Sequence, residues 1–168
     1  MKVIKKQKNS KNCVLCGLDN PYGIKANFYE MENGELVTSF SYQFEHQSYP
    51  GRTHGGLIAC VLDESIGRAI WITDPTVLGV TCELNVKYRK PMPYNAPLYC
   101  ISRITENRSR IFVGEGEIVD AQGVVYAEAR GTFVKLSNDK IGDFDIDEEM
   151  CYDILDDVTD ITIEGKLL

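Results

Sequence analysis

The chain has 168 residues and a net charge of −7, enough length to bury one core without metal or disulfide staples. The charge is lopsided: residues 137–168 hold 11 acidic and 2 basic side chains (−9), and residues 1–136, with 14 acidic and 16 basic, sum to +2. A near-neutral body without a Lys/Arg stripe argues against nucleic acid as a partner. No run reaches the roughly 18 apolar residues of a membrane span, and the opening "MKVIKKQKNSKN" lacks the apolar core of a secretory signal. The expectation is a cytoplasmic protein with no membrane partner, whose six cysteines are reduced thiols.

In chain order, residues 1–12 read as a frayed basic leader. Residues 13–23, "CVLCGLDNPYG", are too punctuated by Gly and Asn-Pro for a regular element. "IKANFYEME" and "ELVTSFSYQF" form a strand pair joined by Asn33-Gly34, a strong short hairpin signal. "EHQSYPGRT" is a loop, and residues 55–72 form the one long helix, closed before Asp74-Pro75 because proline disfavours helix in the residue that precedes it. Four strands follow: "TVLGVTCELNVKYRK", "APLYCISRITE", "RIFVGEGEIVDA" and "GVVYAEARGTFVKL".

Two strands, a helix and four strands, without βαβ alternation, predict an α+β domain over residues 13–136. Its antiparallel sheet of about six strands wraps around one helix. Residues 137–168 are an acidic tail. "DFDIDEEMCYDILDDV" has the spacing of a short amphipathic helix through Ile146, Met150, Ile154 and Leu155, and its charge density equally suits a mobile segment.

At about 100° per residue, Gly56, Cys60, Asp63 and Gly67 share one helical stripe, whereas Ile58, Leu62, Ile66 and Ala69 form the opposite, core-facing side. Glu64 and Arg68 stand four apart in the favourable order for an ion pair. Asp63 has no such partner on the helix. It either bonds a neighbouring segment or performs chemistry. Gly55 and Gly56, at the helix start, either allow close packing or expose backbone N–H groups to a ligand carbonyl, as an oxyanion hole does. Asp63 lies about 10.5 Å along the axis from Gly56. One carbonyl reaches both only if the amides of one chain meet the Asp of a second, which predicts a homodimer with two shared sites.

"SYPGRTHGGLIACVLDESIGRA", with "ELNVKYRKPMP" and the opening "CVLCGLDNPYGI", resembles the hotdog-fold acyl-CoA thioesterases of the PaaI-like group. The resemblance spans about residues 13–136. It implies a hotdog dimer, in which dimers can pair into tetramers, acting on an acyl-CoA substrate with no cofactor beyond that coenzyme A and no metal. Asp63 matches the family's catalytic carboxylate, acting as general base or nucleophile, and Gly55 and Gly56 match its amide donors. His54 matches the motif His, read as joining loop to helix. Relatives carry Asn or Gln in the preceding loop; Ser48 stands at that position, and its neighbour Gln47 is the candidate for the role.

Two other functions share this fold. "FEHQSYPG" resembles the His loop of hotdog hydroxyacyl dehydratases, with His46 as base, and a non-catalytic module would bind acyl-CoA without turnover. Arg89 and Lys90 are candidates for the phosphates of coenzyme A. Cys13-x-x-Cys16 is half of a zinc site, with no second pair in the sequence to complete it.

Overall fold

The computed structural model describes residues 1–142 and 145–166. The six expected strands are β2 (Asn27–Met31), β3 (Leu36–Phe40), β4 (Leu78–Tyr88), β5 (Leu98–Asn107), β6 (Ile111–Val119) and β7 (Val125–Leu136). A seventh, β1 (Val3–Gln7), pairs with β2, and the antiparallel sheet runs β1-β2-β3-β5-β6-β7-β4. The β2–β3 hairpin turns where Gly34 takes a φ of +83°, a conformation open to glycine at little cost.

The helix α1 (Gly55–Ala69) lies in the concave face of this sheet and continues as a single 3-10 turn to Ile72. This is the hotdog arrangement. Ile58, Leu62, Ile66 and Ala69 are buried as the helical spacing requires. The sheet comes up against them at Gly114, where a Cβ would stand 2.6 Å from Cγ2 of Ile66. Two buried hydroxyls fix the helix on the sheet: Thr38 Oγ1 donates to Ser65 Oγ at 2.9 Å, and Ser102 Oγ donates to the Ser65 carbonyl at 2.9 Å.

Both chain ends differ from expectation. The first residues are not frayed: β1 is a full member of the sheet. The acidic segment runs antiparallel beside it, with Asn9 and Tyr152 exchanging backbone hydrogen bonds of 2.8 and 3.1 Å and Lys2 bridging Asp160. Beyond that, Ile161 and Ile163 are buried on the outer face of the sheet against Tyr29, Met31, Val37 and Ile101, as a second core. The expected acidic helix is a single turn, α3 (Ile146–Glu149), preceded by the short α2 (Asn138–Ile141); Asp143 and Phe144 of the expected helix lie outside the described residues. Opposite charge explains the docking, since Lys6 pairs with Asp156 at 2.6 Å and Lys11 with Glu148 at 3.0 Å.

Candidate active site

Asp63 projects from the middle of α1 toward the first residues of β4. Thr81 Oγ1 donates to its Oδ1 at 2.8 Å. The side chain is half-buried, and this desolvation raises the carboxyl pKa above the ordinary value; the Thr81 hydrogen bond pulls it back, and the nearby Glu64 pushes it up again. Among the described residues the result is a carboxylate with one donor, an open second oxygen and increased basicity. Thr81 escaped the sequence reading because strand residues alternate by face, and only the curl of β4 over the helix shows which of them meets Asp63.

At the helix start, His54 is the N-cap and its Nδ1 accepts the Gly56 N–H at 3.0 Å. Gly56 is therefore not the free donor that the sequence suggests, because the motif histidine already satisfies it. A Cβ on Gly56 would lie 3.1 Å from that same Nδ1. The N–H of Gly55 has no hydrogen-bond partner among the described residues, so the open donor is that of Gly55. Its carbonyl accepts from Tyr88 Oη at 2.9 Å. Gly67, on the same helical stripe as Gly56, faces Phe133 of its own chain, with a Cβ position 3.4 Å from the ring.

β4 thus carries both ends of the constellation, with Thr81 at Asp63 and Tyr88 at Gly55. Arg89 and Lys90 follow directly, so the structure brings two cations to the end of β4 that meets the helix start. Arg89 is engaged with Glu128 at 2.8 Å. Lys90 has no carboxylate partner among the described residues. Gln47 and Ser48 sit in a loop closed by the Gln47–Thr53 bridge and by Ser48 N–H donating to the Arg52 carbonyl at 2.8 Å. They lie near His54 in this fold, and no hydrogen bond joins either to Asp63.

His46 does not fit the dehydratase role. It is buried, its Nδ1 accepts from the Gln43 N–H at 2.9 Å, and its Nε2 lies 2.9 Å from the Tyr22 carbonyl, which requires the proton on Nε2. Both ring nitrogens are committed to backbone.

The Glu64–Arg68 pair forms at 2.9 Å, and it anchors more than the helix. Arg68 is buried over the ring of Phe28, and its Nη2 reaches Cys16 Sγ at 3.0 Å. Cys13 Sγ donates to Glu64 Oε2 at 3.0 Å. The donor atoms of Cys13, Cys16 and Glu64 lie within 4.8 Å of one another, so Glu64 is a third candidate ligand that the sequence did not reveal. The set does not suit a metal ion, because the fixed guanidinium of Arg68 already supplies the positive charge to two of the three donors.

A cavity of about 400 Å³ opens beside Asp63 and Thr81 and continues along α1 past Gly67 and Trp71, with Phe133 and Met150 on its walls. Its size lies within the roughly 300–1,000 Å³ of small-molecule sites. Among the described residues, no helix is long and apolar enough to cross a membrane.

Residues 50–127 match the family model described as the thioesterase superfamily. A putative esterase of Saccharolobus solfataricus is 30% identical over 103 residues, covering 61% of this chain and 73% of the relative. The acyl-coenzyme A thioesterase THEM4 of Mus musculus is 29% identical over 116 residues, covering 68% of this chain; the chain spans about half of THEM4, 49% of its length. Among solved structures, a Bacillus halodurans protein determined with CoA is 26% identical with a TM-score of 0.61, over 70% of this chain and 78% of that one. The matched segment holds the Gly55 amide, Asp63 and Thr81 together, and with these likenesses in sequence and fold the chain belongs to the thioesterase superfamily.

Proposed function

We propose that the protein hydrolyses acyl-CoA thioesters in a site shared by two copies of the chain. The observation that carries this reading is that β4 holds a basic, half-buried Asp63 near one end and the open Gly55 amide near the other. β4 is also a bare sheet edge: it pairs with β7 on one side and with no strand on the other among the described residues, and Val80 and Tyr88 are exposed along it. A free edge of 11 residues is a template for strand pairing. Two β4 strands paired antiparallel about Leu84 and Asn85 would set Thr81 of one copy opposite Tyr88 of the other. That register joins Asp63 of one protomer to Gly55 of the second, resolving the separation within a single helix.

In this site the thioester carbonyl oxygen accepts the Gly55 N–H, reinforced by the helix dipole. Asp63 takes a proton from water as its oxygen attacks the carbonyl carbon. The C–S bond then breaks, the thiolate leaves with the electron pair, and the proton held by Asp63 passes to it. A thiolate needs little acid assistance, which suits a site with one carboxylate. Lys90, with Arg89 beside it, supplies positive charge where the coenzyme's phosphates would approach the helix start.

Complementation tests the composite site. Gly55→Pro removes the amide proton at the first helical position, where proline is accommodated, and His54 already has the extended backbone (φ −66°, ψ 130°) that precedes proline. Gly55→Pro and Asp63→Asn should each lower thiol release by about 100-fold or more. Refolded together from an equal mixture, they should recover about a quarter of wild-type activity, since half the dimers are mixed and each of those has one intact site. No recovery from folded, mixed dimers rejects the shared site.

A further inference from the structure

We infer that Ile146 and Met150, carried over α1 by the acidic C-terminal segment, form the end wall of the acyl chamber and limit the length of acyl chain accepted. This rests on the thioesterase reading above and names its substrate class: CoA esters of apolar monocarboxylic acids of short to medium length. The cavity that opens at Asp63 and Thr81 has Ile146 and Met150 in its lining. Met150 Sδ lies 3.8 Å from Arg68 Nη2, and Arg68 is about 7.5 Å further along the helix axis than Asp63. A chain attached to a carbonyl at Asp63 and running past Gly67 therefore meets Met150.

The wall is built, not draped. Asp145 caps α3 by accepting from the N–H groups of Asp147 and Glu148. Lys11 holds the turn twice, through its ammonium on Glu148 at 3.0 Å and its N–H on the Glu149 carbonyl at 3.0 Å. Tyr152 then pairs with Asn9 and reaches the Asp19 carboxylate at 2.9 Å. Both Ile146 and Met150 lie outside residues 50–127, the stretch matched by the family model.

The chemistry of the wall selects the acyl group. Trp71, Phe133 and Met150 present apolar surface to the cavity. Among the described residues Arg68 is the one cation lining the cavity, and it is spent on Glu64, the Lys8 carbonyl and Cys16. An acyl group ending in a carboxylate would find no free positive charge there and would lose its hydration unpaired. Met150, at the level of Arg68 and so about 7.5 Å beyond Asp63 along the helix, stands in the path of a long fatty chain.

The test uses the full chain and a series of straight-chain acyl-CoAs from acetyl to palmitoyl, with succinyl-CoA added, read by free-thiol release. Wild type should lose kcat/KM beyond medium chains and turn over succinyl-CoA poorly. Met150→Ala should raise the ratio of long-chain to short-chain kcat/KM at least about tenfold, and Met150→Phe should lower it by a similar factor, since one methylene in an apolar pocket is discriminated by about 10–200-fold. Trp71, the single tryptophan, gives a reading independent of turnover: in an Asp63→Asn background, the longest acyl-CoA that changes its fluorescence should move in the same two directions. Folded Met150 variants with the wild-type chain-length profile would overturn the inference while leaving the thioesterase reading intact. A wild type that releases thiol from none of these substrates would overturn both.

Discussion

Thr81 Oγ1 donates to Asp63 Oδ1 at 2.8 Å, tying the first half of β4 to the middle of α1. This is the one hydrogen bond that opposes the rise in Asp63 basicity caused by burial and by Glu64. Thr81→Val should therefore move the acid limb of the pH profile of kcat/KM upward. It should also lower kcat/KM about 10–100-fold, the worth of a hydrogen bond to a charged group. Thr81→Ser should restore both. A pH–rate profile over the three proteins checks the direction; an acid limb that falls in Thr81→Val contradicts the assignment.

Asp63→Asn separates catalysis from stability. Thiol release should fall by about 10²–10⁴-fold, the contribution of a positioned base. Stability should change the other way. The folded pKa of Asp63 lies above that of the unfolded chain, so the native state holds this proton more tightly. The contribution to stability is present below the unfolded pKa and is lost as pH rises through the folded value. At neutral pH the charged, half-buried carboxylate is a cost that asparagine removes, so the melting temperature should rise, and the difference between variant and wild type should narrow as pH falls. Calorimetry at several pH values measures it.

Glu64→Ala should do the reverse of Asp63→Asn. It leaves the Arg68 guanidinium, whose side chain is 5% exposed, without its carboxylate, a loss of about 3 kcal/mol for a buried pair. For a chain of this size that corresponds to a fall of about 6–12 °C in melting temperature. Most of the thiol-release activity should remain at temperatures where the variant is folded. Thermal melts paired with the thiol assay distinguish the adjacent carboxylates.

The strands, the helix and Asp63 were legible because periodicity, the Asn33-Gly34 turn and the stripe of the helix are local signals. The Glu64–Arg68 pair was legible for the same reason, being four residues apart. Gly55 and Gly56 were not separable in sequence: which amide stays open depends on the His54 ring turning onto Gly56. Thr81 and the clustering of Cys13 with Glu64 depend on contacts 18 and 51 residues apart, which no pattern encodes. The chain ends were misread because each was weighed alone. A basic dozen residues and an acidic tail each look solvated, yet their charges are complementary and they fold against each other.

That complementarity yields the last prediction. Asp156 accepts from the Lys6 ammonium at 2.6 Å and from the Tyr29 hydroxyl. Burial alone would raise its pKa, and these hydrogen bonds outweigh burial and hold the carboxyl below its ordinary value. Its stabilising effect is therefore full above the unfolded pKa and disappears as pH falls through the folded one. Asp156→Asn should cost about 2 kcal/mol at neutral pH, the worth of a charge-assisted hydrogen bond, or a fall of about 4–8 °C in melting temperature. The difference should vanish in acid. Because the tail covers the free edge of β1 through Val3 and Asn9, hydrogen exchange at those two amides should quicken in the same variant, while the amides of β5 and β6 keep their protection. Exchange that quickens uniformly would mean that the two chain ends do not form the separable unit their charges describe.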